Sequence, residues 1–182
     1  MKNQITIPSF LHEIHGERSN WFNLALTHLI GLAATLAVLT QTGEFNLAGW
    51  ERWTLVGLTY DLAGGIVANF SYGTSDYYAR SNKRRLWFIS LHLLHPLFMS
   101  ILFPEFGMTI AIVSGYVIAA SLAVNTIKDT ARQATVGALL AVGGIVALQI
   151  FLPETNTVLE LLLTMFLLKL PLAFAVRWHH AN

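Results

Sequence analysis

The sequence predicts an all-α polytopic membrane protein, a bundle of six transmembrane helices with both termini on the cytoplasmic side. Three observations carry this expectation. Of the 182 residues, 54% are apolar and only 12% are charged, whereas a soluble domain carries about 25% charged residues. Apolar stretches of about 20 residues recur along the chain, the length that a helix needs to cross ~30 Å of hydrocarbon. Lys and Arg alternate between connectors as they do where short loops collect cations on the cytoplasmic side.

Taken in order, the opening segment 1–20 sets Ile5, Ile7, Phe10, Leu11 and Ile14 among polar residues, with Pro8 near its start. Such a pattern suits either a short helix lying on the inner membrane surface or a disordered tail. It lacks the apolar core and small-residue cleavage site of a secretory signal, so the first span is expected to serve as an uncleaved insertion signal. Spans follow at about 21–39, 53–72, 86–103, 108–127, 134–152 and 158–176. No connector is long enough to fold alone, so residues 1–182 read as a single membrane domain with no ATP-hydrolysing module between the spans.

The connectors fix the expected orientation. Arg80, Lys83, Arg84 and Arg85 lie in the second, Lys128 and Arg132 in the fourth, and Arg177 follows the last span. Glu44, Glu51, Glu105 and Glu154 lie in the odd-numbered connectors with Arg52 as their only cation. An even number of spans with both ends inside satisfies this alternation. The tryptophans, Trp21, Trp50, Trp53, Trp87 and Trp178, all fall at span ends, where an amphipathic ring anchors in the headgroup layer. The expected setting is the bacterial inner membrane.

Within the spans, Pro96 and Pro171 each remove a backbone hydrogen bond and free the carbonyl four residues earlier, at His92 and Leu167. Kinks are expected in the third and sixth helices. Gly137, Ala141 and Gly144 repeat at helical spacing in the fifth and predict close helix contact.

Composition also excludes. A net charge of +1, with cations scattered, gives no basic groove for a nucleic acid. Cysteine is absent, which removes disulfides, thiolate ligands and cysteine nucleophiles.

Ionisable groups at membrane depth are costly and mark functional candidates. His28 lies in the first span, Asp61 in the second, His92 and His95 in the third and Lys169 in the sixth. Asp61 and His95 fall near mid-depth, and all five belong to the same half of the bundle. Residues four apart share a helix face. The first span accordingly shows a polar stripe through Asn23, Thr27, Gly31 and Thr35, and the second one through Gly57, Asp61, Gly65 and Asn69. The predicted substrate or proton pathway comprises Asp61, His92, His95, His28, Asn69, Thr27 and Lys169. Lys169 has an alternative, snorkelling toward the inner headgroups near Arg177. A metal site would draw on His28, Asp61, His92 and His95, since imidazole and carboxylate suit zinc and similar ions; no cofactor is otherwise called for. The same polar groups are equally accounted for as glue between helices. In the second connector, Ser71, Thr74, Ser75, Tyr77 and Tyr78 beside four cations form a second place for an anionic headgroup or substrate.

The stretch ERSNWFNLALTHLIG at 17–31 resembles the start of the hemolysin III and progestin/adiponectin-receptor-like membrane proteins, where a glutamate, an asparagine and a Thr-His pair open the first span. That resemblance implies a seven-span zinc-dependent amide or lipid hydrolase. Its ligands would be a Ser and a His one turn apart in the second span, an Asp in the third and an HxxxH pair in the last. This chain has Ser75 but Ala79 in place of the histidine, no Asp in the third span, RWHHAN at its end and six spans.

The leading expectation is a permease or proton-coupled transporter of a small solute or ion, with Asp61 as coupling carboxylate and His92 and His95 as relay or substrate partners. The alternatives are a metal-dependent intramembrane hydrolase using His28, Asp61, His92 and His95, or a non-catalytic subunit of a larger membrane complex. Lipid is a partner in every case, and a homo-oligomer or a membrane partner subunit fits the small size.

Overall fold

The computed structural model describes residues 4–41, 47–151 and 156–179. Almost all of them are helical. Two-residue strands β1 (Ile5–Thr6) and β2 (Arg18–Ser19) pair antiparallel and close a small N-terminal loop, within which lie a 3-10 turn and the one-turn helix α1 (His12–His15). The expected surface helix is therefore a hairpin-closed knot of chain. Its fold is set by Gly16, whose φ of 71° suits glycine alone.

Long helices follow: α2 (Trp21–Gln41), α3 (Gly49–Phe70), the short α4 (Tyr72–Ala79), α5 (Asn82–Leu91), α6 (Leu94–Leu102), α7 (Gly107–Thr126), α8 (Thr130–Phe151) and α9 (Thr157–Leu167). The last continues as π-helix over Leu168–Phe174. Capping explains two of the starts. The Glu51 carboxylate accepts from the Ala48 N–H at 2.7 Å, and Asn156 accepts from the Val158 and Leu159 N–H groups.

Five helical stretches among the described residues are long and apolar enough to cross a membrane: Trp21–Gln41, Asn82–Leu102, Pro104–Thr126, Thr130–Phe151 and Thr157–Phe174. The expected second span corresponds to α3, which at 22 residues is long enough but is not among these five, being less apolar with Glu51, Arg52 and Asp61 along it. The expected second connector is largely helical, as α4 and the start of α5. The expected 152 boundary and Glu44 and Glu154 lie outside the described residues.

Both proline effects are present. The third expected span breaks between α5 and α6, and the His92 carbonyl that Pro96 frees accepts from the His95 N–H at 3.2 Å. At Pro171 the helix widens instead, and Ala175 N–H reaches back five residues to the Leu170 carbonyl at 2.9 Å.

The core sits around α9. Leu159, Leu162, Leu163, Phe166, Leu167 and Leu170 are fully buried, while α2 and α8 expose leucines and valines on their outer faces. The small residues of α8 pack as expected: a Cβ on Gly137 would lie 2.9 Å from the Pro171 carbonyl oxygen, and one on Gly144 would lie 2.5 Å from Leu167 Cδ2. α2 is held against α3 in the same way, through Gly64 beside the Thr27 carbonyl.

Candidate functional site

Asp61 stands on α3 one turn from Gly57 and Gly65, on the small-residue face that the sequence pattern marks. Gly65 supplies the space for its partner: a Cβ there would fall 2.5 Å from Lys169 Cε. Lys169 therefore folds inward from the π-helical segment and donates to Asp61 Oδ2 at 2.6 Å and to the Asp61 carbonyl at 3.0 Å. Its side chain is 2% exposed, so snorkelling is overturned. A buried ammonium with a carboxylate at hydrogen-bond distance has more to lose by leaving it than it gains at the headgroups.

The break between α5 and α6 brings in the histidines. His95 Nε2 donates to the same Asp61 Oδ2 at 2.6 Å. His92, one helical turn away, lies almost parallel to His95, with centroids 4.7 Å apart, and Phe166 stacks on His95 at 5.5 Å. His92 Nδ1 bonds the Phe88 carbonyl at 2.8 Å. A carbonyl only accepts, so Nδ1 carries the hydrogen, and in the neutral ring Nε2 then keeps a lone pair. Among the described residues, neither His92 Nε2 nor His95 Nδ1 has a hydrogen-bond partner.

The carboxylate also faces outward. Asp61 is 54% exposed and lines a groove of about 650 Å³ between α3 and α5–α6. Thr54, Gly57 and Leu58 form one wall with it, and Phe88, Leu91, Leu94 and Phe98 the other. Phe10, Glu13 and Ile14 of the N-terminal loop close one end.

Asp61, His92 and His95 each offer a ligand atom, all within 4.8 Å of one another. Two imidazoles and a carboxylate suit zinc. Lys169 opposes it, because its ammonium already occupies one oxygen of the only carboxylate in that set.

His28 is not among these groups. Its Nδ1 bonds the Tyr60 hydroxyl at 2.5 Å, and its ring packs on His15 at 5.2 Å. Tyr60 and Asp61 are neighbours in sequence and therefore about 100° apart around α3, so a residue at the right depth meets the wrong face. Burial, and next the nearby His28, hold the His15 imidazole below its ordinary value. Thr27 is buried at the α2–α3 contact, and Asn69 is buried two turns from Asp61, its Nδ2 without a partner among the described residues.

Part of the basic second connector is already engaged within the fold. Thr74 donates to the Ile14 carbonyl and Tyr78 to the Glu13 carbonyl, which ties both hydroxyls to the N-terminal loop. Burial first, then Glu13, pushes the Tyr78 phenol above its ordinary range. Arg85 is 1% exposed and binds Asn125 Oδ1 at 2.5 Å and the Ala175 carbonyl at 2.7 Å. It fastens two helix C-termini, where carbonyls attract a cation.

Sequence reasoning missed the roles of Gly65, Glu13, Tyr60 and Phe166. Gly65 had a readable signal, its place one turn from Asp61 on a polar face. No protein-family model matches this chain, and no curated protein or solved structure is significantly similar to it.

Proposed function

We propose that the protein is a proton-coupled permease for a small solute or ion, built as six membrane spans with both termini inside, in the bacterial inner membrane. The observation that supports it most is the double engagement of Asp61. One oxygen is held by the buried Lys169 and by His95, and the side chain still opens on a groove. A carboxylate so placed can exchange partners, and what it binds from the groove is coupled to what happens to Lys169 and His95 behind it. The π-helical turn at Lys169 and the break at His92–Leu93 put both partners on irregular helix, the kind of segment that transporters use at their binding sites. The charge alternation of the connectors supports the orientation, and α3, packed against α2 and α9, is the second span of the proposed six.

Purified protein in proteoliposomes, with an internal pH dye, tests the reading. Solutes screened against an imposed pH gradient should dissipate it with the wild type and not with Asp61→Asn. Equal dissipation by the two would refute the role of Asp61.

A second reading, a zinc-dependent intramembrane hydrolase, is favoured by the 4.8 Å grouping of Asp61, His92 and His95. Stoichiometric zinc in the purified protein, lost in His92→Phe, would support it over the permease.

A further inference from the structure

We propose that the groove beside Asp61 binds a monovalent organic cation with an apolar body, admitted sideways from the surrounding apolar phase. The inference rests on the permease reading and names its substrate class.

Charge comes first. Among the described residues two carboxylates, Asp61 and Glu13, line the groove, and no lysine or arginine does. Lys169 stands behind Asp61, almost wholly buried, and neutralises one of the two. The groove keeps one negative charge, which a monocation cancels and an anion doubles.

Donor geometry agrees. Lys169 and His95 both bond Oδ2, and neither bonds Oδ1. With the side chain 54% exposed, an oxygen remains to meet a cation without breaking the ion pair.

The walls decide the body of the ligand. Phe10, Phe88 and Phe98 offer aromatic rings for cation–π contact, and Leu58, Leu91, Leu94 and Ile14 offer apolar surface. A hydrated inorganic ion gains nothing from such walls. About 650 Å³ is the size of a site for a drug-sized molecule. Leu91, Leu94 and Phe98 line the groove and are themselves exposed apolar side chains, so in a chain read as membrane-spanning the groove opens toward lipid.

Equilibrium binding of radiolabelled tetraphenylphosphonium to the full chain in nanodiscs tests this, with empty nanodiscs subtracted. Tetraphenylborate, nearly the same shape with opposite charge, is the comparator on the same wild-type protein. The expected result is saturable binding of one cation per chain, at least about tenfold tighter than the anion. Glu13→Gln, whose side chain makes no hydrogen bond to the bundle core, should weaken cation binding about three- to tenfold at unchanged thermal stability. Equal affinity for the two ions, or cation binding indifferent to both Glu13→Gln and Asp61→Asn, would overturn the proposal. Saturable cation binding without any solute-driven proton movement would leave this site standing and refute the permease. Proton movement driven by a polar solute, with no saturable cation binding, would do the reverse.

Discussion

Gly65 is what lets Lys169 reach Asp61: any side chain at that position would occupy the place of the lysine's terminal carbon and nitrogen, 2.5 and 2.7 Å from the added Cβ. The ion pair is thus specified by an absence of atoms on the facing helix as much as by the two charges.

Gly65→Ala should accordingly force Lys169 aside. Overpacking of this kind costs about 1–3 kcal/mol, and it would pull the ion pair apart besides. Thermal unfolding in detergent should show the loss, whereas Gly57→Ala, with open space at its Cβ, should leave stability unchanged.

Asp61→Asn leaves a buried ammonium without its carboxylate and should cost about 3–5 kcal/mol. Asp61→Asn with Lys169→Met removes both charges and should recover most of that stability without recovering coupled flux. A double-mutant cycle measures the difference. Additive losses would mean that the two side chains do not interact.

The N-terminal loop docks backbone to backbone. A Cβ on Gly73 would stand 2.1 Å from the Arg18 carbonyl oxygen and 2.5 Å from that of His15. Backbone atoms on both sides have little room to yield, so Gly73→Ala should lift the loop from α4 and expose it to protease about tenfold faster, in line with a local opening rather than global unfolding. Cleavage within residues 4–20, read by mass spectrometry, checks it.

Loop docking should also weaken in acid. His15 titrates below its ordinary 6.5 when the loop is docked, because burial and the facing His28, itself bonded to Tyr60, disfavour its charge. The undocked state then binds more protons near that pH, so docking strengthens as pH rises through the window below about 6.5 and is lost as pH falls. The protection of the residue 9–16 amides, with exchange corrected for its intrinsic pH dependence, should fall as pH drops below about 6.5, and that fall should vanish in His15→Gln.

The apolar lengths and the two prolines made the helices and their irregularities legible, because both are local properties of the chain. The site was legible in depth but not in azimuth. Asp61 and His95 sit at the same height and touch, whereas His28 sits at a compatible height and faces Tyr60 instead. Pairing of residues 61 and 169 depends on which face of the last helix turns inward, and the widened turn at Pro171 sets that face. Arg85 resembled its neighbours in a basic run, and only the meeting of α7 with the C-terminal segment reveals it as buried. The close approach of Gly16 to Gly73 leaves no periodicity to read.

The ion pair can be measured directly by solid-state NMR on the protein in bilayers, through the dipolar coupling between 15N-labelled lysine Nζ and 13C-labelled aspartate carboxyl carbons. Lys169 should give a strong coupling that disappears in Lys169→Met, as a contact of 2.6 Å to Asp61 requires. A Lys169 nitrogen with no coupling to any aspartate carboxyl carbon would contradict it, and with it the site on which the proposed function stands.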